Sequence, residues 1–283
     1  MVTVAAGQVR IAIDDPTATT RAVEAAVRGA AGQGAELIVL PELTLAGSAF
    51  VSSSEALQRA EDVPGPTTTW MSGLSAELGV VLVFGLCERG EGGPAPYNSA
   101  VLLDRGEVLA VYRKTHLWDR EKLVFAAGSA AAPVVDTSVG RVAVMICYDL
   151  ELPEMVRDVT LRGAQLIAVP ANWPVVPKPA GERPIEVAKA QAGAAANRVF
   201  VVVADRCGAE RGTDFFGSSV ICDVTGFPLA GPAAGQPVIL SASIDLAQAD
   251  DKRLGPRNDA LADRRLDLDH AAADVFVSAP CNS

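Results

Sequence analysis

Gly34-Ala-Glu-Leu-Ile-Val-Leu-Pro41 and Gly163-Ala-Gln-Leu-Ile-Ala-Val-Pro170 follow one pattern: a turn glycine, a short run of Leu, Ile, Val and Ala, and a closing proline. A run that is apolar at every position, rather than at alternate ones, reads as a strand buried on both faces. The likeness continues downstream in the same order. Val80-Val-Leu-Val-Phe84 is echoed by Val199-Phe-Val-Val-Val203, and Asn98-Ser-Ala-Val-Leu-Leu-Asp104 by Gly217-Ser-Ser-Val-Ile-Cys-Asp223. Arg-Gly after Asp104 and Val-Thr-Gly after Asp223 read as tight turns between antiparallel strands, which makes each sheet mixed. Upstream, Thr19 to Gly32 has Ala-rich helical spacing between a strand at 2–13 and one at 37–40.

Two similar halves of this kind bury their sheet faces on each other and cover the outside with helices. The predicted fold class is α/β, a four-layer α-β-β-α sandwich of two mixed sheets with an internal pseudo-two-fold repeat. Only a short Ala-rich loop separates Leu123 from Val142, so the halves read as one domain over 1–265. The remaining 266–283 read as a C-terminal tail, rich in Asp and Arg from about Ala260 and suited to lie on the surface or on a partner.

Hydrophobic residues make up 49% of the 283 residues and aromatic ones only 5%, so the core is built of aliphatic side chains. A net charge of -10 disfavours phosphate backbones and anionic lipid, leaving nucleic acid and membranes as poor partners. The N-terminus lacks a signal-peptide pattern and no segment is apolar over a membrane's width, from which a cytoplasmic protein is expected. The five cysteines, Cys87, Cys147, Cys207, Cys222 and Cys281, show no CxxC spacing, which points away from a disulfide framework or a zinc cage. With only His116 and His270 present, a nucleophile more readily uses a base other than histidine.

Three strand ends carry reactive side chains. Cys147 closes the buried-strand run Arg141-Val-Ala-Val-Met-Ile-Cys147, and Pro153-Glu154 opens a helix soon after. A thiol at such an elbow lies beside free backbone N–H groups that favour a thiolate and bind an oxyanion. Position alone would equally suit a small hydrophobe ending a core strand, as for the other strand cysteines. Glu42 follows Pro41 at the carboxyl end of a strand, where open α/β sheets place ligands. Lys114, in Val111-Tyr-Arg-Lys-Thr-His-Leu117, is one of five lysines in a chain whose other basic side chains are mostly arginine, which hints at a need for a compact point charge. Glu121, in Trp118-Asp-Arg-Glu-Lys122, is a loop carboxylate with no positional claim of its own.

Taken together, Leu40-Pro-Glu42, Tyr112-Arg-Lys-Thr-His-Leu117 and Val144-Met-Ile-Cys-Tyr-Asp149 with Pro153-Glu154 resemble the nitrilase, or carbon-nitrogen hydrolase, superfamily over about residues 2 to 265. The resemblance implies an α-β-β-α fold that dimerises across helices, so a homodimer is expected. It implies Glu42 as base, Lys114 as the cation on the intermediate, Cys147 as nucleophile and Glu121 as a second glutamate that supports the lysine. It also implies that no metal or organic cofactor takes part.

Tyr148-Asp149 after the cysteine resembles the amidase branches, whereas the nitrile-cleaving branch usually has Trp-Glu there. Leu150-Glu151-Leu152 lacks the arginine that branches acting on carboxylate-bearing substrates often carry, and Glu151 would repel such a substrate. The expected reaction is hydrolysis of small aliphatic or amino acid carboxamides to acid and ammonia through a thioester. Hydrolysis of N-carbamoyl amino acids or ω-amides is the alternative; nitrile hydrolysis or a catalytically silent scaffold dimer ranks below both. Tyr148, through its backbone N–H, and Asn172 and Trp173, at the strand end equivalent to Glu42, are the expected substrate contacts. They imply a small, partly aromatic pocket for short acyl groups.

Overall fold

Asp15 caps the first helix by accepting from the Ala18 N–H at 2.9 Å, and Pro16 supplies a first-turn residue whose missing N–H costs nothing there. This helix, α1 (Pro16–Gly32), follows strand β1 (Val2–Gln8) and returns the chain to β2 (Leu37–Val39). Helices α2 (Ser53–Arg59) and α3 (Pro66–Leu78) lead to β3 (Val81–Glu88), β4 (Tyr97–Asp104) and β5 (Glu107–Arg113). A short α4 (Glu121–Val124) and β6 (Val134–Thr137) precede β7 (Gly140–Val144), α5 (Pro153–Leu161), β8 (Leu166–Ala171), α6 (Ile185–Asn197) and β9 (Phe200–Asp205). A small hairpin, β10 (Cys207–Glu210) and β11 (Thr213–Phe216), is followed by β12 (Val220–Cys222), β13 (Pro228–Ala230) and β14 (Val238–Ile244). This computed structural model describes residues 1–90, 93–265 and 267.

The two six-stranded sheets run β14-β1-β2-β3-β4-β5 and β13-β12-β9-β8-β7-β6. In the first, β1, β2 and β3 are parallel and β14, β4 and β5 antiparallel to their neighbours. In the second, β7, β8 and β9 are parallel, flanked by antiparallel β6, β12 and β13. Five strands of each sheet therefore share one order, with β2 corresponding to β8, β3 to β9 and β4 to β12, while the sixth is the late strand β14 in one sheet and β6, just ahead of β7, in the other. Asp104 pairs with Glu107 across a two-residue turn whose Arg105 and Gly106 both have positive φ, the geometry that fits the twist of a hairpin.

Strand periodicity sorts the core into layers. Val4, Ala6, Leu37, Val39, Val81 and Val83 share one cluster with residues of the second sheet, and so face it across the space between the sheets. The alternate residues Ala5, Ile38, Leu40, Leu82 and Phe84 pack with Val23, Val27, Met71 and Leu74 of α1 and α3 on the outside. Each wholly buried Val, Leu, Ile, Met or Phe among them contributes about 1.5–3 kcal/mol.

The chain divides into the compact units Met1–Asp251 and Lys252–Ser283, a boundary ahead of the expected 265. The described part of the second unit holds a short antiparallel pair, Arg253–Gly255 with Asn258–Asp259. The expected tail over 266–283 lies outside the described residues apart from Asp267. Among the described residues no helix is long and apolar enough to cross a membrane.

Candidate active site

Pro41 ends the β2 ladder and swings Glu42 beyond the sheet, where its N–H donates to Ala171 O of β8 at 3.4 Å. The crossing is tight: a Cβ on Gly85 would come within 2.2 Å of Leu43 N and 2.6 Å of Glu42 Cα, so β3 carries glycine there. Lys114 stands one residue past β5 and stays registered on β4 through its N–H, which donates to Asn98 O at 2.8 Å. Cys147 opens a single 3-10 turn, Cys147–Glu151, and takes φ of 48°. A non-glycine residue in the left-handed region is strained and persists only where its surroundings fix it, which is common at reactive centres.

These strand ends converge. Lys114 Nζ donates to Glu42 Oε1 and to Glu121 Oε2, both at 2.7 Å, with the ammonium 1% and Glu42 2% exposed. Asn98, wholly buried, bridges the same carboxylates, donating through Nδ2 to Glu42 Oε1 at 2.6 Å and Glu121 Oε1 at 2.8 Å. The Trp118 N–H also donates to Glu121 Oε2 at 2.7 Å. Asn98 is one site residue that sequence reasoning missed; its signal was a polar side chain opening an otherwise apolar strand.

Burial raises the Glu42 pKa to about 7; the Lys114 charge opposes this and the Glu121 charge adds to it. Burial also pushes the Cys147 thiol well above its ordinary range, helped by Glu42 and opposed by Lys114. Burial works against the Lys114 ammonium, but the Glu121 and Glu42 carboxylates outweigh it and hold its pKa well above the usual value. The resting site therefore pairs a neutral thiol with a carboxyl group poised near neutrality and a permanent cation. Such a set can move a proton from sulfur to carboxylate and stabilise a developing oxyanion.

Asp149 ties the thiol and ammonium segments together. Wholly buried, it accepts from Ile146 N at 3.2 Å beside the cysteine, and from Tyr112 Oη at 2.9 Å and His116 N at 3.1 Å on either side of the lysine. Asp149→Asn turns an amide donor toward other donors, and kcat is expected to fall at least about tenfold with KM within about threefold. Steady-state kinetics check this; equal kcat would show that the register survives without the carboxylate.

Glu42, Lys114, Glu121, Cys147 and Asn172 line one cavity of ≈ 340 Å³, whose outer walls include Phe50, Val51, Trp118, Phe125 and Phe215. That lies near the small end of the roughly 300–1,000 Å³ typical of small-molecule sites. Two sequence expectations, Trp173 and Glu151, find their side chains elsewhere. Trp173, 1% exposed, packs in the core and lies outside the lining, because its N–H is drawn to Asp205 Oδ1 at 2.9 Å. The Tyr148 ring stands edge-on to Trp118, with centroids 4.8 Å apart, outside the lining, while the expected contact of this residue is its backbone N–H. Glu151 pairs with Lys189 of α6 rather than facing the cavity, so it does not select against a substrate carboxylate.

A family model described as carbon-nitrogen hydrolase matches residues 3–253. A nitrilase of Pyrococcus abyssi is 37% identical over 268 residues, covering 94% of this chain and 98% of that one. An N-carbamoylputrescine amidase of Solanum lycopersicum is 34% identical, covering 95% and 93% of the two chains. Among solved structures, a mutant of the amidase from Nesterenkonia sp. AN1 in complex with butyramide superposes with a TM-score of 0.74 at 29% identity, covering 89% of this chain and 94% of that one. With the family match spanning nearly the whole first unit and these relatives matching end to end, the chain belongs to the carbon-nitrogen hydrolase family and is a carbon–nitrogen hydrolase.

Proposed function

We propose that the protein hydrolyses carboxamides, aliphatic or amino acid amides, to acid and ammonia through an acyl thioester on Cys147. The observation that carries this reading is the opening of Cys147 onto one cavity with the buried Glu42–Lys114–Glu121 cluster. Glu42 accepts the thiol proton as sulfur attacks the amide carbon, and the oxyanion is held by Lys114 and the Tyr148 N–H. Glu42 returns the proton to the departing nitrogen, and ammonia leaves. Water, giving its proton to Glu42, then attacks the thioester; the acid departs and the proton returns to the sulfur. Asn98 and Glu121 keep Lys114 and Glu42 in place throughout. The amidase from Nesterenkonia, with butyramide bound, supports the amide reading, and the N-carbamoylputrescine amidase keeps carbamoyl compounds as the alternative.

Ammonia release from a panel of aliphatic amides, amino acid amides, N-carbamoyl amino acids and nitriles tests the reading. Turnover of amides upholds it, and turnover confined to nitriles or carbamoyl compounds overturns the substrate class. Because the base must be ionised and its pKa stands near 7, kcat/KM should rise tenfold per pH unit below that value and level off above it. A profile flat from pH 5 to 8 would remove Glu42 from the role of base. A homodimer through the helical face is part of the same reading, and sedimentation at micromolar concentration checks it.

A further inference from the structure

The outer wall of the cavity is built from two segments far apart in the sequence, 48–51 and the β10–β11 hairpin, and a buried ion pair joins them. Arg206, 0% exposed, donates through Nη1 to Glu210 Oε1 at 3.2 Å and Oε2 at 3.0 Å. The same Nη1 donates to Ser48 Oγ at 3.2 Å, and Nη2 donates to Ile11 O. The guanidinium lies over the Phe215 ring, 4.1 Å from its centroid. Glu210 Oε2 in turn accepts the N–H groups of Ser48 at 2.8 Å and Ala49 at 3.1 Å. The fit is close: at Gly47, with φ of +76°, a Cβ would lie 2.7 Å from Glu210 Oε1.

A buried ion pair is weak evidence for stability, since apolar side chains of similar volume often replace one at no cost. What apolar side chains cannot supply here is an acceptor for the two loop N–H groups and a flat cation under Phe215. Ser48, Ala49 and Phe215 all line the cavity, whereas neither charged residue does. Arg206 and Glu210 therefore hold wall residues of the cavity and touch none of the thiol, carboxylate and ammonium groups.

We infer that Arg206 and Glu210 are positioning residues that hold the acyl wall, and that this wall selects amides with an apolar chain long enough to reach it. The inference rests on the amide-hydrolase reading above. The test compares kcat/KM for acetamide and hexanamide in the wild type, in Glu210→Gln and in the double variant Arg206→Met/Glu210→Leu, which leaves no buried charge unpaired. The wild type should prefer hexanamide. Both variants should lower the hexanamide-to-acetamide ratio at least about tenfold, mainly through KM for hexanamide. A ratio retained in a folded double variant, with both amides losing alike, would overturn the inference and reduce the pair to a structural strut. A wild type that favours acetamide would overturn it too, whereas failure to cleave any amide would overturn the functional reading beneath it.

Discussion

Cys147→Ala is expected to lower amide turnover by about 10⁴-fold or more while the protein still folds and still binds amide. The size follows from the chemistry: without sulfur no acyl intermediate forms, and groups that act as one unit fail together when the nucleophile is lost. Stability should change little, because the side chain is small and leaves only a modest void beside Lys114 and Glu42. Calorimetry with butyramide separates binding from catalysis in this variant. Turnover above a tenth of the wild-type rate would show that another group attacks the carbonyl.

Glu42→Gln should be the next most damaging substitution, lowering kcat by about 10²–10⁴-fold. Glutamine keeps the shape and an acceptor for Asn98 and Lys114, but it cannot take a proton. Lys114 keeps its partner Glu121, so the cluster should hold. The substitution also has an opposite effect on the thiol. The Glu42 charge is one cause of the raised Cys147 pKa, so removing it should move the midpoint of thiol alkylation to lower pH. A variant that loses turnover yet gains thiolate has lost a base, not its fold. An alkylation midpoint that stays put or rises would contradict the electrostatic account.

The fold and the cluster were legible for different reasons. Strands buried on both faces, such as 37–39 and 166–171, announce themselves by uninterrupted apolar runs, and their repetition dictated two sheets with five strands in a shared order. Glu42, Lys114 and Cys147 were legible because charged or nucleophilic side chains at the ends of such strands have few structural reasons to be there. Trp173 was misplaced because chain position fixes where a strand ends but not which way the next side chains turn, and Asp205 draws its backbone inward from a distant strand. Glu151 failed similarly, since its partner Lys189 comes from a helix 38 residues on. Asn98 and Asp149 were missed as site residues because their roles lie in bridging segments, which spacing along the chain does not reveal.

The central claim is that acyl transfer passes through Cys147. Intact-protein mass spectrometry of the wild type, quenched in acid during turnover of butyramide, tests it most directly, with peptide mapping to place any adduct. The account predicts a butyryl group on the peptide carrying Cys147, absent from Cys147→Ala and lost once substrate is consumed. Steady release of ammonia with Cys147 unmodified throughout, in an enzyme whose acylation is shown by rapid quench not to limit the rate, would contradict it.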